Sequence, residues 1–136
     1  MQVMKNVGLV AMLLAVIMNG VAAIRWTGYA GNSLWNESLN WEHSVLPGIT
    51  DEVILDNSYV TGSYEVMLPD SAVTIGRIRI GAAGGAEIRL VIPVTNMIAG
   101  ATGTPDARAL VLTENGYALE LEQGGVFINA SGAGSG

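Results

Sequence analysis

Between Val73 and Ile80 the chain reads Val-Thr-Ile-Gly-Arg-Ile-Arg-Ile, and its apolar residues change parity in the middle. Successive side chains of a strand point to opposite faces. Val73 and Ile75 therefore share one face, while Ile78 and Ile80 share the other. A single straight strand would turn one pair to solvent. A bulge or corner at Gly76-Arg77 returns both pairs to one core. A fold that accepts this stretch needs short strands that bend sharply.

The rest of the chain has the same texture. Val53-Ile54-Leu55 is a short apolar run closed by Asp56-Asn57-Ser58, and Tyr64 to Leu68 is a second, ended by Pro69-Asp70. Beyond the glycines and alanines of 81–85, Ile88, Leu90 and Ile92 alternate with Glu87 and Arg89. Ala109–Thr113, Tyr117–Leu121 and Val126–Ala130 read as further strands, and Asn115-Gly116 is a two-residue turn signal. In Trp35–Trp41, Asn36, Ser38 and Asn40 favour loops and caps over a helix interior. The expectation is an all-β fold. Two architectures fit it: a short right-handed β-solenoid with Gly- and Asn-rich corners, or a small antiparallel β-sandwich with a hairpin at Asn115-Gly116. The parity switch favours the solenoid.

At 136 residues the chain holds at most one domain. Residues 1–23 read as a signal peptide: Lys5, an apolar run from Val7 to Met18, then Val21-Ala22-Ala23. That run is shorter than the ~20 residues of a membrane span. Cleavage after Ala23 would leave a secreted chain with no membrane span and no lysine, with five arginines against twelve carboxylates, hence a net charge of −7. Such a chain repels phosphate backbones, which argues against nucleic acid as a partner. There is no cysteine, which removes disulfides, thiol catalysis and thiolate metal sites.

Residues 24–57 form a tryptophan-rich segment and 58–136 a succession of β-segments. The first holds Trp26-Thr27-Gly28, Trp35, Asn40-Trp41, Pro47-Gly48, Asp51 and Val53-Ile54, in the order W-x-G, W, N-W, P-G, D-x-V-I. It resembles the opening segment of secreted bacterial β-solenoid surface proteins of the autotransporter and adhesin type. The resemblance covers roughly residues 25–81 and implies a tryptophan-rich segment followed by stacked coils. It implies no catalytic residues. Those proteins are usually several hundred residues or more, so the expectation is a piece of a longer protein or a small subunit that gains neighbours by assembly.

Trp26, Tyr29, Trp35 and Trp41 are the candidate ligand surface, because aromatic faces stack on sugar rings. The same rings would also plug the end of a β-stack, and burial of large rings favours the plug. Asp51 and Asp56, with Glu52 and Asn57, are oxygen donors for calcium, but they match no calcium-loop spacing, and Asx turns explain them more simply. No other cofactor is expected. Arg77 and Arg79 would supply the basic residue of a polysaccharide-lyase remnant; pairing with Glu87 or another acidic residue on a neighbouring rung is the simpler role. His43 has no partner at triad or ligand spacing. Asn36 and Asn129 head N-glycosylation sequons. The functional expectation is a non-catalytic secreted structural or adhesive surface protein. It self-associates, meets other surface proteins, or continues into further β-coils. A carbohydrate-binding module is the alternative.

Overall fold

The computed structural model describes residues 22–92, 110–114, 116 and 118–129. The expected leader over residues 1–21, Asn115 of the turn signal and most of the Asn129 sequon lie outside them. Among the described residues nine short strands form the sheets: β1 (Ala23–Arg25), β2 (Glu52–Leu55), β3 (Tyr64–Met67), β4 (Val73–Ile75), β5 (Arg77–Ile80), β6 (Ile88–Ile92), β7 (Leu110–Leu112), β8 (Leu119–Leu121) and β9 (Gly125–Asn129). Two single 3-10 turns, Ser38–Asn40 and Glu42–Ser44, are the helical content among the described residues. None of it is long and apolar enough to cross a membrane.

Every ladder between these strands is parallel. They form three sheets, ordered β1-β2-β5-β8, β3-β6-β9 and β4-β7. From β2 onward the chain visits the three sheets in the same cyclic order, laying one strand on each before returning. This overturns the antiparallel sandwich. β7 and β8, on either side of the expected hairpin, do not pair with each other; β7 lies on β4 and β8 on β5. Each strand instead continues the ladder of the rung before it, Leu110–Leu112 on Val73–Ile75 and Leu119–Leu121 on Ile78–Ile80. The first sheet also runs unbroken across the 57/58 boundary. It begins at Ala22, whose carbonyl accepts a hydrogen bond from Glu52 N–H, just before the expected cleavage point.

Gly76 is the corner that the parity switch required. β4 ends before it and β5 begins after it, in a different sheet, and Val73, Ile75, Ile78 and Ile80 are all buried. The Gly76 and Arg77 N–H groups both donate to Asp51 C=O, and Gly76 C=O accepts from Glu114 N–H. The corner therefore rests on one rung and supports the next.

Register turns the core into columns. Ile24, Val53, Ile78 and Leu119 stack in one column, and Leu55, Ile80 and Leu121 in another. On the second sheet Val66, Leu90 and Phe127 align. Charged side chains occupy the alternate parity, where Glu52 lies opposite Arg77 and Arg79 opposite Glu120.

Candidate functional site

The segment between β1 and β2 forms a first coil laid over the second. Trp26 N–H donates to Ile54 C=O, Trp35 N–H to Met67 C=O, and Met67 N–H to Ser33 C=O. This threading carries the three indoles inward. Trp26, Trp35 and Trp41 are 2 %, 3 % and 1 % exposed. Trp41 meets Trp26 edge-on with centroids 5.0 Å apart and Trp35 at 4.7 Å, and Trp26 stacks on Tyr64 at 6.4 Å. Trp41 Nε1–H donates to Trp35 C=O at 2.7 Å, so its one polar atom is satisfied in the core. Of the candidate surface Trp26, Tyr29, Trp35 and Trp41, the three indoles pack on one another and on the core, the plug role that ring burial favours, and their faces are not open to a sugar.

Asn40 organises this coil, a role that its place in a loop-forming stretch did not reveal. It is fully buried. Its amide NH2 donates to Asn32 Oδ1, Asn32 C=O and Leu34 C=O, its Oδ1 accepts from Ala30 N–H, and its own C=O accepts from Thr27 and Gly28 N–H. A buried amide with every site used fixes a loop that has no ladder of its own. The buried Thr27 adds a hydroxyl bond to Leu39 C=O.

Of the four aromatic candidates, Tyr29 alone reaches solvent, at 72 % exposed. Its neighbour is Tyr59, which no sequence signal marks. The two rings meet edge to face with centroids 5.9 Å apart. Tyr59 O–H donates to Glu42 Oε1 at 2.8 Å, and Glu42 Oε2 accepts from Arg25 N–H at 3.0 Å. That charged bond raises the Tyr59 pKa. Tyr29 lies in the first coil and Tyr59 at the β2–β3 corner of the second. Two aromatic residues 30 positions apart meet here because the coils stack.

No family model, curated protein or solved structure matches this chain. The chemistry of the site is therefore read from its own geometry.

Asp51 and Asp56 are not brought together. They flank β2 at opposite ends, about 16 Å apart along an extended chain, too far to share an ion. Each closes a turn instead: Asp51 Oδ2 accepts from Gly48 N–H at 2.6 Å, and Asp56 Oδ1 accepts from Ser58 N–H at 3.0 Å. Asn57 builds the same corner, donating to Val60 and Gly62 C=O and accepting from Ala83 N–H of the coil above. Among the described residues no group of three or more His, Asp or Glu side chains is placed to hold a metal.

Burial raises the Asp56 pKa, but hydrogen bonds from Ser58 and the Arg25 guanidinium at 3.2 Å together outweigh it and leave the carboxyl below its ordinary 3.8. A carboxylate depressed in the fold adds stability above its unfolded pKa and loses it as pH falls through the folded value. Asp56→Asn is thus expected to flatten the acid limb of stability below about pH 4 while leaving its shape near neutrality unchanged. Urea midpoints measured between about pH 2 and 6 check this.

Arg77 is held by Glu52 at 2.6 Å on the rung below and approaches Glu114 at 3.8 Å on the rung above. Arg77 thus pairs with another acidic residue on a neighbouring rung, as expected, while Glu87 pairs with Arg89 two residues along the chain. His43 is exposed and sits at φ 60°, followed by Ser44 at φ 53°, so two consecutive non-glycine residues occupy the left-handed region directly after Glu42.

Proposed function

We propose that the chain is a non-catalytic structural segment of a secreted surface protein, a short right-handed β-solenoid closed at one end and open at the other. The cyclic visiting of three parallel sheets supports a solenoid, and the strong preference of parallel crossovers for one hand supports a right-handed one. The resemblance of the Trp26–Ile54 motif to exported surface proteins agrees with it.

One observation carries the functional part. Along the first column, Ile24, Val53 and Ile78 are 8 %, 0 % and 1 % exposed, but Leu119, the next residue up, is 40 % exposed. In the second column Leu55 and Ile80 are fully buried and Leu121 is 48 % exposed. The inward leucines of the last rung have no rung above them among the described residues. Among the described residues β7, β8 and β9 end their sheets on this side, with no further strand paired to their outer edges. At the opposite end the tryptophan coil seals the core. An apolar end whose edges take no further strand among the described residues is a surface for further coils, supplied by a continuing chain or by association.

The test is light scattering coupled to size exclusion over a hundredfold range of concentration. Association of the wild type, abolished in Leu119→Lys/Leu121→Lys with its circular dichroism unchanged, is the expected result. A wild type that stays monomeric at all concentrations would overturn self-association through this end.

A further inference from the structure

We infer that the corner carrying Tyr29 and Tyr59 is a binding site for a neutral polysaccharide, with the sugar chain running along the stack. This goes beyond the structural role proposed above and does not depend on it.

The platform is built, not incidental. Tyr29 and Tyr59 are 72 % and 45 % exposed, yet their rings are held against each other. Glu42 fixes the Tyr59 hydroxyl, and a backbone N–H fixes Glu42 in turn. The residues that follow Glu42 adopt two successive left-handed conformations without glycine. Such conformations are unfavourable and persist where the surroundings impose them, often at functional sites. A ring whose orientation is set before binding loses little freedom on binding.

A second observation continues the site along the same corner. The residues just before Tyr59 line a shallow groove, with Asp56, Asn57 and Ser58 on one coil, Gly81-Ala82-Ala83 on the next and Glu122 on the third. The second coil fills this corner with larger side chains, whereas the third has small ones. Side-chain carbons added at Gly84 or Gly85 would meet nothing within 4 Å. The groove thus follows Tyr59's own corner in the chain, with the Ser58 hydroxyl and the Asp56 and Glu122 carboxylates along its walls.

Chemistry selects the ligand class. An exposed tyrosine face suits the C–H face of a pyranose ring, and carboxylate oxygens accept hydrogen bonds from its hydroxyls. An anionic glycan would need a free cation, but Arg25, the arginine nearest the shelf, is paired with Asp56. The chain carries a net charge of −6, which further disfavours a polyanion. The two rings form a narrow shelf bordered by polar groups, which fits a thin glycan chain better than a broad protein face.

Affinity electrophoresis of the full chain in native gels containing hydroxyethylcellulose, glucomannan, xylan or laminarin tests this, with polygalacturonate as the anionic contrast. At least one neutral polymer is expected to retard the protein. Tyr29→Ala is expected to weaken that retardation about tenfold. Ala83→Arg, which fills the groove without touching either ring, should do the same, and Tyr59→Phe should retain most of it. Unchanged thermal melting in each variant separates lost binding from lost fold. Retardation by none of the neutral polymers, retardation indifferent to both Tyr29→Ala and Ala83→Arg, or retardation by polygalacturonate alone would overturn the inference.

Discussion

Trp41→Ala is expected to lower the stability of the fold by about 4 kcal/mol, within the range for deleting a large buried ring. Trp41 is 1 % exposed and touches both other indoles. Its removal leaves a cavity at the centre of the first coil and orphans the Trp35 carbonyl that its indole N–H satisfied. Domains of this size are stable by only about 5–15 kcal/mol, so the variant should lose much of its cooperative transition. Urea unfolding followed by far-ultraviolet circular dichroism reads the effect. The result discriminates sharply between the two roles read from the sequence: a solvent-facing stacking residue would change stability by no more than about 0.5 kcal/mol. Trp41→Phe keeps a ring but not the donor, and is expected to fall between the two.

Gly76→Val should be nearly as damaging, for a different reason. A side-chain carbon at Gly76 would lie 2.8 Å from Asp51 O and 2.9 Å from Thr50 C and O, all main-chain atoms of the rung below. No rotamer relieves a clash made by the first carbon. The corner must shift, breaking the hydrogen bonds from Gly76 and Arg77 to Asp51 C=O and displacing Glu114 above. Overpacking typically costs about 1–3 kcal/mol, and the lost corner bonds put the expectation near the top of that range. Gly84→Ala is the control for glycine loss in general. It has open space, and its left-handed φ of 62° is the only penalty. A Gly76→Val stability indistinguishable from Gly84→Ala would show that the corner tolerates rearrangement.

Much of this fold was legible because its local signals are strong. The parity change around Gly76 required a corner, and a corner is there. β2 to β9 lie where short apolar runs and Gly or Asn breaks placed them. β1 was not legible, since Ala23–Arg25 is three residues with a single apolar side chain facing the core. Pairing was not legible either. Val53 and Ile78 are 25 residues apart and Ile78 and Leu119 are 41, beyond the reach of any turn signal, so Asn115-Gly116 suggested a hairpin the stack does not use. The candidate site was half readable. Tyr29 stood out with the tryptophans, but burial separates it from them, and Tyr59 reaches it only through the stacking of coils. Asn40 gave no signal, because a loop-favouring asparagine and a buried structural one look alike in sequence.

The tryptophan coil has a consequence for the order in which the molecule can be made. Partners separated by 25 and 41 residues make closure of each rung slow when nothing waits to receive it. The segment that seals the core precedes β2 and every later strand in the chain, and most of its hydrogen bonds are internal to residues 27–44. Once β2 and β3 dock beneath it, every later strand meets an edge already formed and adds to it as to a template. Growth then has a direction set by chain order, from a finished base toward the edge most recently laid down.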